Sequence, residues 1–250
     1  MIMKPVELSK RLKCIADMVT FGNSVVDVGC DHGFLSIYLV EQGICVGAKA
    51  MDVRPGPLNA AKTHVREYDL EDKIDCILSD GLHNADIPEK NTSLVIAGMG
   101  GPLILRILSE CPMIRDAFDE LILSPQSQIE EFRMGIRNQR LIILDEMMVY
   151  EDGKYYTCVK CIPQEKIECV EAKDIKNITT GIRGELADRY GAFLLAKKDE
   201  VLLKYLEYEK DILSDVCSHL DSNSHAARYE EILEKIRLNK EAIELCISID

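Results

Sequence analysis

The sequence predicts an α/β fold: a mainly parallel sheet with one antiparallel strand, followed by a C-terminal antiparallel helical hairpin of coiled-coil type. Three observations carry this reading. Short apolar runs alternate with amphipathic stretches over the first 160 residues, the pattern of strands joined by crossover helices on both faces of a parallel sheet. The last two runs flank the turn Glu151-Asp-Gly153, which makes them a hairpin and not another crossover. Beyond residue 165 the apolar period changes to steps of four and three.

The elements follow in chain order. Leu8–Val19 has helical periodicity, and Ser24–Val28 is a short apolar run of strand length. Helical spacing returns at Phe34–Gln42 and Pro57–Tyr68, with the strand run Val46–Val53 between them. Ile74–Leu78, Leu94–Ala97 and Leu121–Leu123 read as further strands, with helices at Pro102–Leu108 and Ile129–Gln139. Leu141–Leu144 and Tyr155–Ile162 form the hairpin. In the last segment Leu202, Leu206, Glu209, Leu213, Val216 and Leu220 make one seam, and Tyr229, Ile232, Ile236, Asn239, Ile243 and Cys246 a second. The polar break Asp221–His225 separates them, so two heptad-like helices fold back on each other. Glu209 and Asn239, the polar member of each seam, set the register, unless Glu209 reaches out to water. Gly181-Ile-Arg-Gly-Glu185 marks the approach to this appendage. The expected division is residues 1–164 as the ligand-binding domain and 165–250 as the helical appendage.

Composition narrows the class. The chain has 250 residues, 47% hydrophobic, with 30 basic and 43 acidic side chains and a net charge of −13. The deficit is shared, −7 over residues 1–160 and −6 over 161–250. Bulk positive charge therefore cannot hold nucleic acid here, and any RNA contact must use local patches. No basic start with an apolar stretch opens the chain, and the longest apolar stretch, Leu94–Leu105, is broken by three glycines and a proline. A cytoplasmic protein without membrane contact is expected, and a monomer. The ten cysteines are scattered and read as reduced thiols. Cys158-Val-Lys-Cys161 lies in a strand run, where residues three apart point to opposite faces, so no metal is expected there.

The most informative segment is Ser24-Val-Val-Asp-Val-Gly-Cys-Asp-His-Gly-Phe-Leu35, a strand, a glycine turn and a helix. Ligands bind at such carboxyl ends of parallel strands. The dinucleotide fingerprint needs G-x-G-x-x-G and a pyrophosphate at the helix N-terminus. Here Asp27 and Asp31 stand around Gly29 and Gly33. Two carboxylates would repel a pyrophosphate but attract the amino group and sulfonium of S-adenosylmethionine. Asp52 ends the second strand run, 19 residues after Gly33, where a carboxylate can accept both ribose hydroxyls. Asp80-Gly81 ends the third, suited to an adenine amino group and ring edge. Ala97-Gly-Met-Gly-Gly101 ends the fourth in a small-residue loop open to an incoming base. An acid ending a strand is often only a cap or a solvated turn; acids and glycines at four consecutive strand ends are a stronger signal.

These residues resemble the bacterial tRNA (adenine-22-N1)-methyltransferases of the TrmK type. The matching elements are Leu8–Val19, Val26-Asp-Val-Gly-Cys-Asp-His-Gly33, Ala50-Met-Asp-Val53, Gly56-Pro-Leu58, Leu78-Ser-Asp-Gly-Leu82, Ile96-Ala-Gly-Met-Gly-Gly101, Leu121-Ile-Leu-Ser-Pro125, Glu151-Asp-Gly-Lys-Tyr-Tyr156 and Arg189-Tyr-Gly-Ala-Phe-Leu194. They span nearly the whole chain. Ser124-Pro-Gln126 departs from the family's Gln-Pro-Asn, and Ala192 stands where proline is usual. The resemblance implies a Rossmann-like class I methyltransferase sheet with a coiled-coil-like appendage, S-adenosylmethionine as donor and tRNA as acceptor. The implied product is m1A at tRNA position 22. Cofactor-binding residues are then Asp27, Gly29, Cys30, Asp31, His32, Gly33, Asp52, Val53, Asp80, Gly81, Ala97, Gly98 and Met99. The alternatives are a methyltransferase for another RNA or a small molecule, and a catalytically silent cofactor- or RNA-binding protein.

Two local basic patches stand out for tRNA. Lys4, Lys10, Arg11 and Lys13 cluster near the N-terminus, and Arg133, Arg137 and Arg140 recur at steps of four and three. On charge pattern alone both read as solvated helix surface; the resemblance favours the N-terminal patch as an RNA contact. Lys10, Arg11, Arg133 and Arg137, with Gly100 and Gly101 of the fourth loop, are the candidate substrate contacts. Adenine N1 has a lone pair and no proton to lose, so alignment matters more than a base. A carboxylate can stabilise the cationic product. Asp31 is the candidate catalytic group, unless it binds the cofactor instead. His32 reads as a loop-packing residue and not as a base.

Overall fold

The computed structural model describes residues 5–86, 90–169, 182, 184–220 and 226–248. Lys4, Gly181, Arg183 and the Asp221–His225 break lie outside the described residues. The strands are β1 (Ser24–Val28), β2 (Ala48–Asp52), β3 (Ile74–Leu78), β4 (Thr92–Met99), β5 (Glu120–Pro125), β6 (Leu141–Glu151) and β7 (Lys154–Pro163). They form one sheet in the order β3-β2-β1-β4-β5-β7-β6. Strands β1 to β5 pair in parallel, and β7 is antiparallel to both β5 and β6. The single antiparallel strand is therefore β7, which lies inside the sheet with β6 beyond it. Because β6 runs in the same direction as β5, the carboxyl ends of six strands reach one edge.

Strand alternation divides the core in two. Val25, Val95, Ile122 and Cys158 face one cluster, completed by Ile15 of α1 (Lys10–Met18), Leu35 of α2 (Phe34–Glu41) and Ala61 of α3 (Pro55–Glu67). Val26, Leu94, Ile96, Leu121, Leu123, Val159 and Cys161 face the other, with Ile104 of α4 (Gly101–Glu110) and Phe132 of α6 (Ile129–Asn138). Cys158 and Cys161 are both fully buried, one in each core. They pack as small hydrophobes on opposite faces, as period-2 geometry requires. Ser9 caps α1 by accepting the Leu12 amide at 3.3 Å, and the short helix α5 (Pro112–Ala117) opens on proline. Among the described residues no helix is long and apolar enough to cross a membrane.

The C-terminal part builds a third core. Helices α7 (Gly184–Tyr190), α8 (Ala192–Ala196), α9 (Glu200–His219) and α10 (Ala226–Ile247) follow. Leu186, Tyr190, Leu194, Leu195, Leu202, Leu206, Leu238, Ala242 and Cys246 close around Met148 of β6, so the appendage seals the outermost strand. Asp199 caps α9, accepting the amides of Val201 and Leu202 at 2.9 and 2.8 Å. Helices α9 and α10 are antiparallel: Lys198, before α9, donates to the Ser248 carbonyl after α10 at 2.6 Å. The two polar seam residues meet, as Asn239 Nδ2 donates to Glu209 Oε2 and to the Leu206 carbonyl, both at 3.0 Å. Glu209 does not reach to water; it also accepts from Arg189 and from Tyr190, each at 2.7 Å.

Arg133 overturns one expectation. Its side chain is 2% exposed and pairs at 2.7 Å with Glu146, itself 1% exposed. It also donates to the carbonyls of Asp188 and Arg189 at 3.0 and 2.9 Å. It fastens α6, β6 and α7 together and presents no charge to RNA. Arg137 is bidentate to Asp188, and Arg140, beyond the end of α6, pairs with Glu165 at 3.5 Å. Arg133 and Arg137 therefore form a docking seam between the sheet domain and α7, while Arg140 stays on the surface, 70% exposed. Replacing Arg133 by Leu strands the Glu146 carboxylate and should cost about 3–5 kcal/mol in denaturant unfolding, much of it recovered in an Arg133→Leu/Glu146→Leu double variant.

Candidate functional site

A cavity of about 570 Å³ opens at the carboxyl edge of the sheet. Asp27, Gly29, Cys30, Asp31 and His32 come from the end of β1 and its loop, and Asp52 and Val53 from the end of β2. Ser79, Asp80 and Gly81 follow β3; Ala97, Gly98 and Met99 end β4; Arg11 enters from α1 and Gln126 from beyond β5.

The loop after β1 is fixed by backbone bonds. Gly29 and Cys30 both donate to the Met51 carbonyl, at 2.8 and 2.9 Å. Gly29 has φ +79°, a conformation that favours glycine, and a Cβ there would push the Met99 methyl, 2.2 Å away, out of the cavity wall. Asp52, 4% exposed, accepts the Asp31 amide at 3.3 Å on one oxygen and both the backbone amide and the Nε of Arg54, at 2.8 and 3.3 Å, on the other. A carboxylate has about four acceptor positions, so one stays open on the oxygen facing Asp31, and a second opens when the exposed Arg54 side chain swings aside.

The carboxylates differ in their surroundings. Asp27 is 3% exposed and accepts the Ser36 hydroxyl at 2.8 Å. Burial pushes its carboxyl up to about 6, against the opposing pull of Ser36, and neighbouring Asp52 adds to the rise. Asp31 stands at the rim, 60% exposed, with Arg54 at 3.5 Å and His32 Nε2 at 3.8 Å. Asp80 is likewise exposed, 3.9 Å from Arg106. Burial drives the Cys30 thiol well above its usual range, so it lines the cavity unreactively. Phe34 stacks on His64 at 4.5 Å, and His64 Nδ1 lies 2.9 Å from the His32 carbonyl.

The far wall is built by a bulge between Ala97 and Met99 where β4 leaves β5. Gly98, φ +80°, leaves the space into which Arg11 and Gln126 reach: a Cβ would sit 3.5 Å from Arg11 Nη1 and 3.9 Å from Gln126 Nε2. The Arg11 guanidinium lies over the Tyr156 ring, 5.5 Å from its centre.

Twelve of the thirteen expected cofactor residues line this cavity, the exception being Gly33, and of the expected substrate contacts Arg11 alone does so. Gly33 caps α2 with φ +76°, and a Cβ there would meet Ala61 Cβ at 3.1 Å, so glycine here allows the close approach of α2 to α3. Gly100 and Gly101 pack against the turn after β5: their Cβ atoms would lie 3.0 Å from Ser127 Oγ and 2.7 Å from the Ser127 carbonyl. The tight packing against that turn accounts for glycine at both positions. Lys10 donates its backbone amide to Glu151 at 2.5 Å, and its side chain is exposed outside the cavity wall. Arg133 and Arg137 belong to the docking seam. Gln126, Phe34, Arg54, Leu103 and Arg106 line the cavity without having been expected; the one signal was that Gln126 follows the next strand end in sheet order. Gly33→Val should lower stability by about 1–3 kcal/mol through φ strain and overpacking, read as a lower melting temperature in the ligand-free protein.

The chain is 29% identical over 246 residues to the tRNA (adenine(22)-N(1))-methyltransferase of Bacillus subtilis, across 97% of this chain and 99% of that protein. Its structure matches that of the B. subtilis m1A22 tRNA methyltransferase TrmK with a TM-score of 0.81 and 28% identity, over 95% of this chain and 99% of the other. It matches M. capricolum TrmK in complex with S-adenosyl-homocysteine with a TM-score of 0.76 and 26% identity, over 96% and 99%. Residues 8–159 match the family described as "Methyltransferase domain". With the strand-end carboxylates gathered at one edge of a Rossmann-like sheet, the chain belongs to the methyltransferase-domain family.

Proposed function

We propose that this protein is an S-adenosylmethionine-dependent methyltransferase that modifies N1 of adenine 22 in tRNA. The observation that carries the reading is one cavity lined by Asp27, Asp31, Asp52 and Asp80 at consecutive strand ends, with an open wall at Gly98. An acidic floor suits a cationic nucleoside and disfavours a pyrophosphate. The relatives that match over almost the whole chain carry this activity in their names.

In this reading Asp52 accepts the ribose hydroxyls, Asp27 faces the amino group, and Asp80 with Gly81 borders the adenine. Bound S-adenosylmethionine supplies a methyl on sulfonium, which the lone pair of adenine N1 takes as the C–S bond breaks. Gly98, Arg11 and Gln126 border the acceptor side and hold the base in line. Asp31 supplies negative charge near the cationic product. Residues 1–164 form the cofactor-binding unit, and 165–250 contribute to holding tRNA.

Methyl transfer from labelled donor to bulk tRNA, with mapping of the modified nucleotide, tests this reading. Label at N1 of adenine 22 supports it; a folded protein that binds donor and leaves tRNA unlabelled refutes it. Asp52→Ala should weaken donor binding by about 1–3 kcal/mol in calorimetry, and unchanged affinity removes Asp52 from the site. The raised Asp27 carboxyl sets a pH dependence. Protonated below about 6, it lacks the charge that a cationic amino group needs, so donor affinity should rise from pH 5 to 7 and then level off. Asp27→Asn should flatten that rise.

A further inference from the structure

Four tyrosines gather where the β6–β7 hairpin meets α9. Tyr150 and Tyr155 are direct cross-strand partners with ring centres 4.7 Å apart. Tyr205 packs edge-on against Tyr155 at 5.2 Å, and Tyr208 approaches it at 6.1 Å. Tyr155 joins the third core with Met148 and Leu206, which fixes the cluster from below. Tyr150 is nevertheless 49% exposed and Tyr208 55% exposed. Interior packing does not account for two large half-exposed rings that both lie against Tyr155, because Tyr155 and Tyr205 already complete the core.

Their position is set by strand direction. Tyr150 lies at the carboxyl end of β6, and that end reaches the same sheet edge as the cavity because β6 runs parallel to β5. A direct link joins the two. The Glu151 carboxylate accepts the amides of Lys10 and Arg11 at 2.5 and 3.4 Å, and Arg11 lines the cavity over Tyr156. Tyr155 and Tyr156, adjacent on β7, thus face opposite sides of the sheet, one toward the cluster and one toward the cavity mouth. Lys154 and Lys204 are exposed close by in sequence, but so are Asp152 and Glu207. Ring faces, not net charge, are what this surface offers, and a chain at −13 needs such a charge-independent contact to hold RNA. Bases of unpaired nucleotides stack on aromatic side chains regardless of sequence.

We propose that Tyr150, Tyr155 and Tyr208 form a stacking platform for unpaired tRNA nucleotides flanking the adenine that enters the cavity. This rests on the reading of the chain as a tRNA methyltransferase. The test uses the full chain with Tyr150→Leu/Tyr208→Leu, assayed for tRNA KM and kcat, donor affinity and melting temperature. The expected result is a KM for tRNA raised about tenfold or more, in the range for lost base stacking, with donor affinity and melting temperature unchanged. Tyr150→Phe/Tyr208→Phe, which keeps the ring faces, should retain the wild-type KM. If the double Leu variant melts early, Tyr208→Leu alone, at the more exposed ring, should still raise KM. A KM within twofold of wild type in a wild-type-active background overturns the platform, and so does an equal KM rise in the Phe variant. Wild-type protein that does not methylate tRNA overturns the activity itself, and the platform with it.

Discussion

The buried carboxylate of Asp52 is the interaction on which the site depends. It ends β2, yet its partners are the amides of Asp31 and Arg54 and the Arg54 side chain, so it ties the loop after β1 to the turn before α3. The Met51 carbonyl, one residue earlier, holds Gly29 and Cys30. With the loop fixed from both sides, the backbone runs through positive φ at Gly29, Asp31 and Gly33 and places Asp27 and Asp31 on the cavity wall. A parallel sheet makes this arrangement available, because consecutive strand ends open at one edge.

The remainder of the fold divides along that edge. The strand-end acids of β1 to β3 line one half of the cavity, and the β4 bulge with Gly98, Arg11 and Gln126 lines the other. The appendage is not an independent attachment. Met148 in its core, the Arg133–Glu146 pair and the Arg137–Asp188 pair hold it against β6 and α6. The appendage thereby has a defined position relative to the cavity edge.

Most of the sheet was legible because its strands appear as short apolar runs bounded by turns; Ser24–Val28 and Ile74–Leu78 match to the residue. The loop Val26–Gly33 was legible because its glycines and acids answer to local backbone and charge rules. What was not legible depends on distant parts of the chain. Periodicity placed Arg133 on a polar helix face, but only the tertiary structure shows that α7 covers that face. Gly33, Gly100 and Gly101 look like ligand-approach glycines, yet their neighbours are Ala61 and Ser127, distant in sequence. Helices α7 and α8 are seven and five residues long, too short to show a period. Arg11 and Gln126, far apart in the sequence, both approach Gly98, a convergence that no local pattern encodes.

The structure of this protein bound to S-adenosylhomocysteine is the most direct measurement. The ribose hydroxyls should lie within about 3 Å of the Asp52 carboxylate, with the amino group toward Asp27 and the sulfur toward Gly98. A nucleoside bound elsewhere, or one whose ribose makes no contact with Asp52, would contradict the role assigned to the strand-end acids.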